Sequence, residues 1–243
     1  MSQSVRRAAL IVDAVAARPR SVADLAAEFG LHRSTMFREL QTLEDVGYVR
    51  RRADGTYVPA FHLVSLAQVA LEHLDLRRSA SAPLRELHEV TGNTLHVAAL
   101  IDDTIVYVDK VEDQGGMRMY SRIGARVLPY CTGVGKAILA DLDDDRRDAV
   151  LSGVEWTPHT ASTLTTREAL DAQLEVVAAR GWAADDAEFE DFVNCVAVPI
   201  RGPVGVLGAL SLTAIRAVQD LDELAVRIPL LQRTAALIAR EAG

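Results

Sequence analysis

At 243 residues, with 49% hydrophobic and 25% charged side chains, the chain can fill one large core or two smaller ones, and it is too charged for a membrane or disordered protein. No run approaches the roughly 18 apolar residues that a bilayer crossing needs, and MSQSVRRAAL at the start lacks the apolar stretch of a secretory signal, so a cytoplasmic protein is expected. The net charge of −8 is uneven: residues 1–59 carry nine Arg against seven Asp/Glu, a net of +2, while residues 60–243 carry −10, so the acidic total does not exclude a DNA-binding module with local positive potential.

In VRRAALIVDAVAARP, Ala8, Ile11, Val12 and Val15 recur at helical spacing, and Pro19 ends the run. SVADLAAEFG predicts a short second helix, capped by Ser21 and stopped by Gly30. A third helix follows from about Ser34 to Val46, with Met36 or Phe37, Leu40, Leu43 and Val46 facing inward and Gly47 at its end. YVRRRADGTYVP then holds two β-type runs around Asp54-Gly55, the signal of a two-residue hairpin turn. This order is that of a winged helix-turn-helix over residues 1–59. Arg33, Ser34, Thr35 and Arg38 stand at the amino end of the third helix, where hydroxyls meet phosphates and an arginine can fork onto guanine. Arg50, Arg51 and Arg52 would be in most settings a solvated surface; beside this hairpin they read as a wing that meets the DNA backbone or minor groove.

Residues 60–78, AFHLVSLAQVALEHLDLRR, continue a helical pattern through Leu63, Leu66, Val69, Ala70, Leu74 and Leu76. They read as a linker helix whose apolar side needs a partner, or equally as an ordinary core helix. Beyond it SAPLRELHEVTGN is helical up to Gly92. TLHVAALI and TIVYVDKVE are β-rich runs, and MRMYSR is another. GVGKAILADL and DDDRRDAVLSG are helical, and TTREALDAQLEVVAARG carries Thr165 and Glu168 at capping-box spacing. NCVAVPIRG and VGVLGALSLTA form two more strands, joined at Gly202-Pro203, and a helix from about Gln219 to Arg240 closes the chain. The fold class is α+β, with one α/β sensor-type domain over residues 79–243.

PYCTGVGKAIL opens a helix with a Thr-Gly-Val-Gly turn, whose free N–H groups suit a carboxylate. It is not a nucleotide phosphate loop: Tyr130 stands where the first glycine belongs, and Ala137 follows Lys136 where Ser or Thr is needed. Ser211 and Thr213, two apart on a strand, share one face.

Two segments, SRIGARVLPYCTGVGKAILA (121–140) and GWAADDAEFEDFVNCVAVPI (181–200), together with SVADLAAEFGLHRSTMFRELQTLEDVGYVRR, resemble the hallmark stretches of the isocitrate lyase regulator (IclR) family of bacterial transcription factors. The resemblance runs in order over nearly the whole chain. It implies a winged helix-turn-helix on double-stranded DNA with a pseudo-palindromic operator, and a GAF-like C-terminal domain that binds a small carboxylate or aromatic effector. It also implies a homodimer, often a dimer of dimers, with no cofactor. Carried over by position, it assigns the effector to the amides of Gly133 and Val134 and to Asp185, Cys195, Ser211 and Thr213, with Val193 as an apolar wall. Phe192 departs from the family's usual glycine before V-x-C and is expected to reshape the pocket.

Two rival readings use the only cysteines, Cys131 and Cys195. In one, Cys131 near a helix amino end is a nucleophile with His96 or His159 as base. In the other, both thiols and a histidine bind a metal. Neither has a recognised spacing behind it.

Overall fold

The computed structural model describes residues 3–112 and 121–242. They form two compact units divided between His73 and Leu74.

In the first unit, α1 (Gln3–Ala17) ends before Pro19, and α2 (Val22–Glu28) begins at a capping box in which Ser21 and Asp24 bond each other's backbone N–H. The next helix, α3 (Arg33–Asp45), starts one residue earlier than its pattern implies, with His32 as a cap that makes no side-chain bond. Ile11, Val15, Leu25, Met36 and Leu40 are fully buried and join the three helices in one cluster. Met36 therefore takes the inward position and Phe37 is exposed. Val46, expected inside, is exposed as well, because it lies past the last helical turn, where Gly47 at φ +76° redirects the chain.

The wing pairs β1 (Val49–Arg51) antiparallel to β2 (Tyr57–Pro59). Its loop is one residue longer than expected. Arg52 N–H donates to Thr56 O at 2.8 Å, and Gly55 N–H donates to Arg52 O at 3.0 Å, leaving Ala53, Asp54 and Gly55 between the paired positions. Gly55 at φ +82° takes the left-handed third position that such loops require. Backbone bonds between Arg20 and Tyr57 at 3.2 and 2.7 Å tie the chain after α1 to the hairpin.

The apolar run over 60–78 is not one helix. It divides into α4 (His62–Glu72) and the start of α5 (Asp75–Thr91). Leu74 is extended at the break, and both Leu74 and Leu76 pack into the core of the second unit, which outweighs continuing the helix.

That unit is built on an antiparallel sheet of order β4-β3-β7-β6-β5. Its strands are β3 (Thr94–Ile101), β4 (Thr104–Val111), β5 (Ala183–Asp186), β6 (Val193–Gly202) and β7 (Gly205–Ile215). Side chains alternate between faces. Leu95, Val97, Val196, Val198, Leu210 and Leu212 lie against α5, α9 (Leu221–Ala225) and α10 (Ile228–Ala242). Ala98, Ala197 and Ala209 lie on the opposite face, under α6 (Gly133–Leu139), α7 (Asp144–Leu151) and α8 (Arg167–Arg180). Full burial of each large aliphatic side chain contributes about 1.5–3 kcal/mol, so the two-sided sheet is the main source of this unit's stability. The strand expected over MRMYSR falls mostly outside the described residues.

Two helix boundaries differ from their sequence signals. The cap of α8 is Thr166, whose hydroxyl accepts from Ala169 N–H at 3.2 Å, and not Thr165. The closing helix is split into α9 and α10, because Pro229 has no N–H to continue a helix but fits its first turn.

The start of α6 is tightly seated. A methyl group on Gly135 would come 2.6 Å from both Cα and O of Pro129. Gly135→Ala should therefore destabilise the second unit by about 1–3 kcal/mol, the usual range for overpacking, read as a lower urea midpoint with an unchanged slope.

Candidate functional site

The outer face of α3 is polar and solvent-exposed. Arg33, Ser34, Thr35 and Arg38 all lie on it, as the sequence implies, and Gln41 extends the stripe one turn further at the i, i+3 spacing from Arg38. That spacing from Arg38 is the sequence signal that points to Gln41. Arg7 of α1 donates through Nε to both carboxylate oxygens of Glu39 at 3.0 Å, bracing the helix from behind. Glu44 accepts the backbone N–H of Arg51 at 3.0 Å and so links α3 to the wing.

Arg50, Arg51 and Arg52 are exposed. Strand alternation sends Arg50 and Arg51 to opposite faces, so the three do not make one patch. Arg52 lies 3.9 Å from Asp54 in the loop. Among the described residues, Arg33, Arg38, Arg50 and Arg51 form no ion pair.

The second unit has a cavity of about 40 Å³ between its sheet and α6. The seven residues assigned to the effector, Gly133, Val134, Asp185, Val193, Cys195, Ser211 and Thr213, all line it. Their convergence follows from register. Cys195 on β6 is paired with both Asp185 on β5 and Thr213 on β7, and Ser211 is paired with His96 on β3. These side chains share the face that α6 covers. From above, Thr132 caps α6: its hydroxyl accepts from Gly135 N–H at 3.2 Å and donates to Leu128 O at 2.7 Å. The amides of Gly133 and Val134, in the first turn, are left without intrahelical acceptors. Gly133 also lets the helix approach the sheet, since a Cβ there would stand 3.0 Å from Cys195 Sγ.

Six further described residues contribute to the wall: His96, Tyr107, Ser121, Thr132, Phe189 and Glu190. The sequence points to His96 only as a candidate base and to Thr132 only as part of the turn before α6; Tyr107, Ser121, Phe189 and Glu190 come from separate strands and loops that only the folded sheet brings together. Phe192 is half-buried and is not part of the lining; the aromatic side chains there include Phe189, three residues earlier, and Tyr107.

Burial sets the electrostatics. Asp185 is nearly enclosed, and desolvation raises its carboxyl to about 7 even though Oδ1 accepts from Glu188 N–H at 2.8 Å. Glu188 is itself paired with Lys136, which is fully buried. His96 is lowered to about 3 by burial and by Lys110, so its ring is neutral. Its Nε2 lies 2.7 Å from Ser121 Oγ and its Nδ1 3.4 Å from Ser211 Oγ.

These environments do not favour the rival readings. The thiol of Cys131 was expected to be acidified at the helix start. Instead burial, and then the carboxyls of Asp185 and Glu188, push it up to about 12, and Cys195 is pushed to about 12 chiefly by burial. Neither is a ready thiolate. His159 is engaged by the Tyr130 hydroxyl at 3.2 Å. Among the described residues, no group of three or more His, Cys, Asp or Glu side chains is placed to hold a metal ion.

The model for the IclR helix-turn-helix domain matches residues 4–53, and that for the bacterial transcriptional regulator IclR C-terminal domain matches residues 68–240. The chain belongs to the IclR family. Curated relatives include the HTH-type transcriptional regulator KdgR of Escherichia coli K12, 38% identical over 191 residues, covering 78% of this chain and 73% of KdgR. XynR of the same organism is 34% identical over 245 residues, covering 99% and 97%. The crystal structure of the Thermotoga maritima IclR covers all of both chains at 29% identity and a TM-score of 0.80. This IclR-family chain is thus similar to proteins named as transcriptional regulators, and among its described residues no helix is long and apolar enough to cross a membrane.

The acidity of Asp185 has a measurable signature. Its value lies above the 3.8 of an ordinary aspartate. A raised acid holds its proton more tightly in the folded state, so its contribution to stability is complete below about pH 4 and is lost as pH rises through about 7. Asp185→Asn, which cannot ionise, should flatten the melting temperature of the second unit over that window and raise it above the parent's at about pH 8.

Proposed function

We propose that the protein is a cytoplasmic, homodimeric regulator that reads a two-fold DNA operator with α3 and the wing and responds to a small carboxylate held in the cavity between α6 and the sheet. The reading is carried by the α3 face, a cationic, hydroxyl-bearing surface on which, among the described residues, Arg33 and Arg38 form no ion pair. Arg33, Ser34, Thr35 and Arg38 are assigned to the major groove, and Arg50, Arg51 and Arg52 to the backbone beside it. Opposite facing of Arg50 and Arg51 favours a wing that grips phosphates along its edge over one that inserts a single cationic face.

The carboxylate assignment rests on the lining. Two backbone amides, several hydroxyls and a neutral imidazole surround a small volume, which suits a compact acid. Among the described residues, the Cys195 thiol of the lining is raised to about 12 and no cluster is placed to hold a metal ion, which supports binding over turnover. The effector acts to the extent that it prefers one arrangement of the two reading heads over the other.

Support for the dimer comes from α4, none of whose residues is buried. Phe61 is 82% exposed, with Val64, Leu66 and Val69 about half exposed along the same stretch. Such an apolar stripe favours a second copy as its cover. Leu66→Glu with Val69→Glu should convert the dimer to a monomer in analytical ultracentrifugation while leaving the helical content intact.

A salt series of DNA binding tests the whole reading, with the sequences upstream of its own gene and neighbouring genes as probes and random duplex as reference. Specific affinity should lie on the order of 10 nM and fall steeply with salt. Arg38→Ala should lose about 1–3 kcal/mol of discrimination between the upstream and random duplexes. Equal binding of both duplexes by the parent protein would overturn the regulator reading, and retained discrimination in the variant would overturn the assignment of Arg38.

A further inference from the structure

A second opening in the sensor unit lies apart from the cavity under α6. It is a cleft of about 390 Å³ between the β3–β4 turn, the segment 126–130 and the chain that follows α7, against about 40 Å³ for the cavity assigned to the effector. The two share no lining residue. Small-molecule sites commonly occupy about 300–1,000 Å³, so the cleft has room for a metabolite of its own.

Floor and rim of the cleft differ in character. Ile105, Val127, Leu128, Tyr130, Val150 and Val154 supply apolar surface. Exposed at the edge are a guanidinium, Arg126, and two carboxylates, Asp103 and Glu155. Among the described residues none of these three belongs to an ion pair. His159 adds a ring nitrogen that lies 3.2 Å from the Tyr130 hydroxyl. Opposite charges kept apart around an apolar floor complement a molecule that carries a carboxylate, an ammonium and an apolar group.

Two contacts lead from the cleft to the effector cavity. The carbonyl of Leu128, in the cleft, accepts from the hydroxyl of Thr132, in the cavity, at 2.7 Å. The ring of His159, in the cleft, meets that of Phe189, in the cavity, edge-on with centroids 5.1 Å apart. A ligand that immobilises Leu128 and His159 thus acts on the start of α6 through one contact and on the β5–β6 loop through the other.

We infer that the cleft is a second ligand site, for an α-amino acid with an apolar side chain, whose occupation stiffens the start of α6 and the β5–β6 loop. The ligand carboxylate meets Arg126, its ammonium meets Asp103 or Glu155, and its side chain covers the apolar floor. Binding at the cleft stands independently of the effector reading. Its influence on effector affinity rests on that reading and is reciprocal.

Isothermal titration of the full-length protein tests this at about pH 7, where both ends of an amino acid are charged. Leucine and phenylalanine are the probes. The analogues are 3-phenylpropionate, which lacks the ammonium, phenethylamine, which lacks the carboxylate, and glycine, which lacks the apolar group. At least one probe should bind about tenfold or more tightly than every analogue. Arg126→Gln, and separately the pair Asp103→Asn with Glu155→Gln, should each weaken that probe by about tenfold or more. With the probe bound, amide hydrogen exchange should slow over residues 132–139 and 186–193. An analogue lacking either charge that binds as tightly as the probe would overturn the inference. Affinity unchanged in Arg126→Gln, or exchange unaltered in both segments, would overturn it as well. Binding of neither amino acid would overturn it and leave the effector reading, which concerns the other cavity, standing. Should a variant fail to fold, the analogue series on the parent protein decides.

Discussion

A lysine with no exposed surface organises the sensor unit. Lys136 lies in the middle of α6, and its ammonium meets Glu188 on the loop between β5 and β6. Enclosing a charge of this kind is costly unless it is paired, and removing one partner strands the other. The pair thereby joins the helix that roofs the cavity to the loop that brings Phe189 and Glu190 to its side. The same loop is fastened from another direction: Thr160 Oγ1 donates to Ala187 O at 2.6 Å, and Thr163 Oγ1 donates to Glu188 O at 2.6 Å. Ala187 at φ +56° takes a conformation unusual for a residue with a side chain, which fits a loop held by several bonds at once. The lysine that mimics a phosphate-loop motif in the sequence is thus a structural anchor.

Charge is divided between the units according to task. The DNA-facing unit keeps its surplus arginines on exposed surfaces, with Arg7 and Arg20 paired to Glu39 and Glu28 to hold the fold. The sensor unit carries the acidity of the chain, and part of it is turned inward at Asp185, Glu188 and Glu190. Polar groups buried this way must be satisfied. The strand register achieves this for Asp185 by setting it opposite Cys195 and within reach of Glu188 N–H.

Much of the fold was legible in the sequence, and the reasons are local. Strands β3, β4, β6 and β7 were visible because β-branched and apolar runs are bounded by turn residues, and a strand buried on both faces needs little else. Helix ends were less legible where tertiary packing or a single competing residue decided. The break at Leu74 depends on a core that no local window contains. Thr165 and Thr166 offer equal capping chemistry, and Pro229 moves the closing helix into two pieces. In the cavity, Ser211 and Thr213 followed from period two, whereas Asp185 and Cys195 came from family resemblance. His96, Tyr107 and Phe189 escaped both routes, since their meeting is set by how β3, β4 and the β5–β6 loop are stacked across the sheet.

The hydrophobic clusters respect the division at His73. Ile11, Leu25 and Tyr57 belong to one, while Leu76, Leu84 and Leu212 belong to another that starts only after it. No buried residue of either cluster is drawn from both sides of that point. A recombination event there would exchange the DNA reader for another without opening a core, so a lineage could redirect one metabolite signal to new genes while its sensor stayed intact.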